Sequence, residues 1–150
     1  PSWRAVGWPG AATLGLQALV VGRHDPPGDD PLPVVRRGRV SDDDLAALYT
    51  GAEFLLYTSL KEGFGLPVLE ALACGCPAIT SRGSALEEVG GDAVLAVDPA
   101  AIPDIAEACR GLLSDPGARG RLAARGPAHA ARYTWAETAR QSLRAWEDMS

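Results

Sequence analysis

The stretch FLLYTSLKEGFGLPVLEALACGCPAITS, residues 54–81, reads as strand, loop, helix, strand. It opens on FLLYTS and closes on PAITS, each of which reads as a strand. Between them, Gly63 and Gly65 leave a loop of bare backbone that can take positive φ and approach another group closely. Pro67 then suits the first helical turn, where a missing N–H costs nothing. A strand, a helix and a second strand in so short a span require a crossover, which sets the two strands parallel in one sheet.

The flanking sequence repeats the alternation. Upstream, SDDDLAALYTGA (41–52) predicts a helix with Leu45, Leu48 and Tyr49 on one face. Ser41 is its N-cap, the acids Asp42 to Asp44 favour the first turn, and Asp44 is a weaker capping-box partner. That reading is preferred over a metal site for the three aspartates. VVRRGRV (34–40) is a strand with a turn at Gly38, RHDPPGDDPLP (23–33) breaks regular structure, and LQALVVG (16–22) reads as a strand buried on both faces. Downstream come a short helix (84–90), a fifth strand (93–97) and an amphipathic helix (102–113). Helical pieces broken at Gly126–Pro127 follow, then a last helix (134–149) that Thr134 can cap. Strands alternating with helices predict one α/β domain, a doubly wound parallel sheet over residues 1–150.

Composition sets the outer limits. The 150 residues are 47% hydrophobic and 22% charged, ordinary for a globular domain with its own core. A net charge of -5 argues against nucleic acid as a partner. Cys74, Cys76 and Cys109 make no disulfide framework and are expected as reduced thiols in a cytoplasmic protein. Residues 5–22 carry no charge, but Pro9, Gln17 and four glycines favour a helix remnant and a strand over a membrane span. No signal peptide is evident, and a chain opening on Pro1 is expected to be a fragment or a processed product. The Cys74-x-Cys76 pair has no second Cys/His pair to complete a tetrahedral site, so no metal is expected. His24, beside Asp25, reads as part of a surface loop. His129 sits in no ligand spacing, and no Ser-His-Asp arrangement is suggested.

The chemistry concentrates in the loop. In doubly wound sheets, ligands bind at the carboxyl ends of the strands, where this loop lies. Unpaired N–H groups around Gly65, Leu66 and Val68 would face an anion at the helix start. A carboxylate only accepts hydrogen bonds and can hold two neighbouring hydroxyls. Glu62 and Glu70 therefore bracket a site that could read diol, phosphate, diol, the layout of a nucleotide-activated sugar. The plainer alternatives stay open: a surface Glu62, a solvated Glu70 near Lys61, and a Gly-x-Gly that lacks the third glycine of the dinucleotide fingerprint because Val68 stands there.

EGFGLPVLEALACGCPAITS, with SDDDLAALYTGAEFLLYTS before it and LEEVGGDAVLAVDP and YTWAETA after it, resembles the family-four retaining glycosyltransferases. Their E-x7-E motif matches as Glu62 and Glu70. The resemblance implies a Rossmann-like carboxyl-terminal domain of the two-domain B-type glycosyltransferase fold. It runs over about residues 35–146, with 1–34 a divergent or truncated start. It further implies that Glu62, the catalytic candidate, lies near the anomeric carbon as a positioning and electrostatic group. On the same basis the backbone of Gly63, Phe64, Gly65 and Leu66 holds the sugar and diphosphate, Glu70 holds the ribose, and Arg39 and Val40 lie along the nucleobase. Such an enzyme transfers sugar from a nucleoside diphosphate sugar with retention and no obligatory metal. It is cytoplasmic or peripheral at the inner membrane. The amino-terminal acceptor domain and the opening phosphate-gripping unit have no counterpart here, Arg23 notwithstanding. The chain is therefore expected to be inactive alone, awaiting that domain or a partner chain. The alternative is a truncated interaction module that keeps the fold without nucleotide. Trp135, Leu143 and Trp146 of the last helix either pack on the sheet or form an exposed stripe open to self-association.

Overall fold

The structure, a computed structural model, describes residues 18–21 and 34–149. Strands β1 (Ala18–Val21) and β2 (Val34–Arg37) form one parallel pair. After helix α1 (Asp42–Gly51), strands β3 (Leu55–Tyr57), β4 (Ala78–Ser81) and β5 (Val94–Val97) form a parallel sheet with β4 in the centre. Helix α2 (Leu66–Ala73) crosses from β3 to β4, and α3 (Ala85–Gly90) with a 3-10 turn (Gly91–Ala93) crosses from β4 to β5. Helices α4 (Ile102–Ser114), α5 (Pro116–Ala130) and α6 (Trp135–Glu147) end the chain.

The central strand explains the layering. All four residues of β4 are buried, and successive side chains point to opposite faces. Ala78 joins Val68 and Leu72 of α2 and Leu86 of α3 in one apolar cluster. Ile79 joins Val97 of β5 and Cys109 and Leu112 of α4 in another. Helices thus cover both faces of the sheet, as the alternation of elements predicts. Each fully buried leucine or isoleucine contributes about 1.5–3 kcal/mol from burial. Burial also pushes the Cys109 thiol up to about 11, in keeping with a small core residue.

Local signals hold where they are short-range. The Asp44 N–H donates to Ser41 Oγ at 3.2 Å, and the Ser41 hydroxyl donates back to the Asp44 carboxylate at 2.7 Å. Thr134 caps α6, accepting from the Glu137 N–H at 3.1 Å.

Two expectations fail. Residues 116–130 form a single helix that runs through Gly126 and Pro127. The cause is tertiary: α5 lies so close on α2 that a Cβ at Gly126 would meet the Leu72 carbonyl oxygen at 2.7 Å, and packing outweighs the local cost of the proline. Nor is β1 buried on both faces, since Leu19 is 40% exposed. Its close packing is with β2, and among the described residues no helix is stacked extensively on it.

His129 of α5 is buried. Its Nε2 lies 2.7 Å from the Val89 carbonyl and its Nδ1 within hydrogen-bonding reach of the Arg132 guanidinium. A carbonyl only accepts and a guanidinium only donates, so the neutral ring with its proton on Nε2 satisfies both. The last helix resolves differently: no α6 residue is buried, and Trp135, Leu143 and Trp146 are exposed. Among the described residues no helix is long and apolar enough to cross a membrane. Arg23, His24 and residues 5–17 lie outside the described residues.

Candidate functional site

The site is built on the turn from β3 into α2. Ser81, at the end of β4, donates its hydroxyl to the Ser59 carbonyl at 2.6 Å and anchors the start of the loop on the sheet. Gly65 closes the loop with φ 106°, in the left-handed region that favours glycine. It also lies close to α3, because a Cβ there would lie 2.5 Å from Leu86 Cδ2. Pro67 follows in the first turn of α2, and no side chain caps that helix start. The Val68 N–H is already used, donating to the Gly65 carbonyl at 2.9 Å, so it is not one of the donors a ligand would meet.

The two acids stand at either end of this turn, each against a tyrosine. Half-buried Glu62 accepts from the Tyr57 hydroxyl at 2.8 Å. Burial first, and then the bond to Glu62, push the Tyr57 phenol up to about 12. Glu70, on the exposed side of α2, faces the Tyr49 hydroxyl of α1 at 3.5 Å, the outer limit of a hydrogen bond. Burial and the Glu70 charge raise the Tyr49 phenol well above its ordinary value. Both phenols therefore stay protonated at neutral pH and act as donors to carboxylates.

The remaining candidates divide. Gly63 is exposed with open space around it, and Leu66 opens α2 half in solvent. Phe64 turns toward the α5–α6 junction, edge-on to Tyr133 with ring centroids 6.1 Å apart. A cleft of about 440 Å³ runs from Phe64 past Arg132 and Tyr133 to Glu137 and Gln141 of α6. Arg39 and Val40 stand on the turn between β2 and α1, and no hydrogen bond among the described residues joins either to the loop. Glu62 before the Gly65 turn and Glu70 in the helix after it are thus each held by a tyrosine, and no hydrogen bond among the described residues ties Arg39 or Val40 to them. No three His, Cys, Asp or Glu side chains among the described residues are grouped to hold a metal ion.

Sequence reasoning missed both tyrosines. Tyr49 reads as an apolar-face residue of α1 and Tyr57 as a strand residue. The available signal was the phenol itself, since a half-buried tyrosine hydroxyl normally finds a partner.

Residues 34–129 match the family described as Glycosyl transferases group 1. The chain is 40% identical over 110 residues to the O-antigen chain mannosyltransferase B of Escherichia coli, covering 73% of this chain and 29% of that protein. It is 37% identical over 112 residues to the MMP alpha-(1->4)-mannosyltransferase of Mycolicibacterium hassiacum, covering 72% and 27%. Among solved structures, sucrose-phosphate synthase from Thermosynechococcus elongatus superimposes with a TM-score of 0.70 at 25% identity, over 87% of this chain and 38% of that one. The chain spans less than a third of the length of these two curated relatives.

Proposed function

This chain belongs to the Glycosyl transferases group 1 family, and on that premise we propose that it is the donor-binding part of a retaining glycosyltransferase that uses a nucleoside diphosphate sugar. The observation that carries the reading is the pair of carboxylates bracketing the Gly65 turn, each already engaged by a neutral donor. Glu70 takes the ribose hydroxyls. The backbone of Gly63, Phe64, Gly65 and Leu66 follows the diphosphate and sugar, and Arg39 and Val40 line the base. Glu62 holds the sugar hydroxyls beside the anomeric carbon and favours positive charge developing there, acting by position and charge rather than as a general base. The reaction needs no obligatory metal. The resemblance implies that the acceptor is held by an amino-terminal domain, so on this reading the 150 residues alone bind donor without transferring sugar.

The names of the two relatives make a nucleoside diphosphate mannose the first donor to try. Calorimetry and thermal shift with UDP, GDP, ADP and dTDP, and with their glucose and mannose conjugates, test the reading. We expect one nucleotide to stabilise the chain and Glu70→Ala to weaken its binding by about tenfold or more, or ~1.4 kcal/mol. Equal affinity in the variant would remove Glu70 from the site.

A second reading, an interaction module without nucleotide, is favoured by the exposed apolar side chains of α6. It predicts no response to any of these ligands and self-association in sedimentation. Cytoplasmic residence, or a peripheral position at the inner membrane, belongs to the same proposal.

A further inference from the structure

We infer that Tyr57 and Tyr49 are the positioning residues of the acid pair, Tyr57 presetting Glu62 toward the donor's sugar and Tyr49 presetting Glu70 toward its ribose. The inference rests on the donor reading of the site and deepens it.

The two tyrosines come from different elements, five and 21 residues before their acids, yet each brings its hydroxyl to a carboxylate oxygen. Tyr57 ends β3, and its ring packs beside the cluster of Val68, Leu72 and Leu86. A phenol has two side-chain torsions and a rigid ring, so an anchored ring fixes where its hydroxyl points. Its bond takes up lone pairs on Glu62 Oε1 and hinders rotation of the carboxylate, which orients Oε2 for another donor. Glu62 leaves a loop rather than a helix, so without that bond its torsions are unrestrained by secondary structure. Glu70 is already held on a helix, and its bond to Tyr49 is longer. The two positioning effects should therefore be unequal, with the greater one at Tyr57.

Preset acids matter for a ligand made of diols. A carboxylate fixed before binding loses less conformational freedom when the hydroxyls arrive. Because the acids meet opposite ends of the ligand, the two tyrosines should be separable by trimming the sugar away.

The test titrates the 150-residue chain and its Tyr57→Phe and Tyr49→Phe variants by calorimetry. The ligands are the nucleoside diphosphate found in the screen above and its mannose or glucose conjugate. Tyr57→Phe is expected to weaken the sugar conjugate about tenfold while leaving the free nucleoside diphosphate unchanged. Tyr49→Phe is expected to weaken both ligands equally, by roughly threefold to fivefold, as suits its longer bond. In a Glu62→Ala background, Tyr57→Phe should cost nothing further for the conjugate, because its partner has gone. A merely structural role predicts the opposite pattern, with both ligands weakened by Tyr57→Phe and an undiminished effect in the Glu62→Ala background. Either of those results overturns the inference, and so does unaltered affinity in Tyr57→Phe. If the unmodified chain binds none of the nucleotides, the donor reading falls and this inference falls with it. Binding by the unmodified chain with no effect of either tyrosine overturns the inference alone.

Discussion

Gly65 answers to two separate constraints, and its neighbour Gly63 to neither. A side chain at 65 would have to adopt φ 106° and would press on Leu86 Cδ2, the far end of a side chain that can yield. Strain is then the larger cost, and Gly65→Ala should destabilise the chain by about 1–3 kcal/mol. A Cβ at Gly63 meets nothing within 4 Å. Gly63→Ala should stay within about 0.5 kcal/mol of the parent while weakening donor binding, since on our reading the backbone there lies against the ligand. Urea unfolding beside calorimetry separates the two effects, and equal losses of stability would mean that the turn geometry of Gly65 is not a constraint on the fold. Residues of the motif therefore divide: Gly65 shapes the loop, whereas no steric constraint within the fold calls for a glycine at Gly63.

Among elements, α2 and α5 make the decisive contact. Gly126 sits against the backbone of Leu72, so an added methyl must push the helices apart rather than displace a flexible side chain. Gly126→Ala should cost about 1–3 kcal/mol by overpacking, in spite of alanine's higher helix propensity; an unchanged or raised urea midpoint would contradict this contact. The same contact marks the limit of what the residues 115–133 disclosed. Gly-Pro is a local breaker signal, and the helix that overrides it lies about fifty residues away in sequence. Signals carried by adjacent residues were legible: the Ser41–Asp44 and Thr134 caps, β4 as a strand, the turn before α2. Features that depend on distant packing were not. The pairing of Tyr49 with Glu70, for one, follows from how α1 lies on α2. In the candidate site, the sequence pattern singles out the acids and glycines as candidates. The groups that hold the acids could not, since a tyrosine in an apolar pattern gives no hint of where its hydroxyl points.

At the scale of the whole molecule, stability and the last helix are separate matters. No residue of α6 is buried, while the two clusters that knit the sheet to its helices draw on residues no later than Ala130. A chain ended after Tyr133 should unfold within about 1 kcal/mol of the full chain, because it retains both clusters and the Phe64–Tyr133 contact. A markedly lower melting temperature would show that α6 supports the core. If self-association runs through Trp135, Leu143 and Trp146, the same truncation abolishes it, and sedimentation velocity at high concentration reads that outcome directly.

The embrace of α2 by α5 also has a consequence in time. During synthesis the helix bearing Glu70 emerges early, flanked soon after by β4 and α3, but its most extensive partner, α5, is translated well after them. Until α5 leaves the ribosome, the surface of α2 around Leu72 is open to water and to other nascent chains, and contacts so far apart along the polymer are slow to close. The helix that carries Glu70 is thus also one that waits long for its cover while the chain is being made.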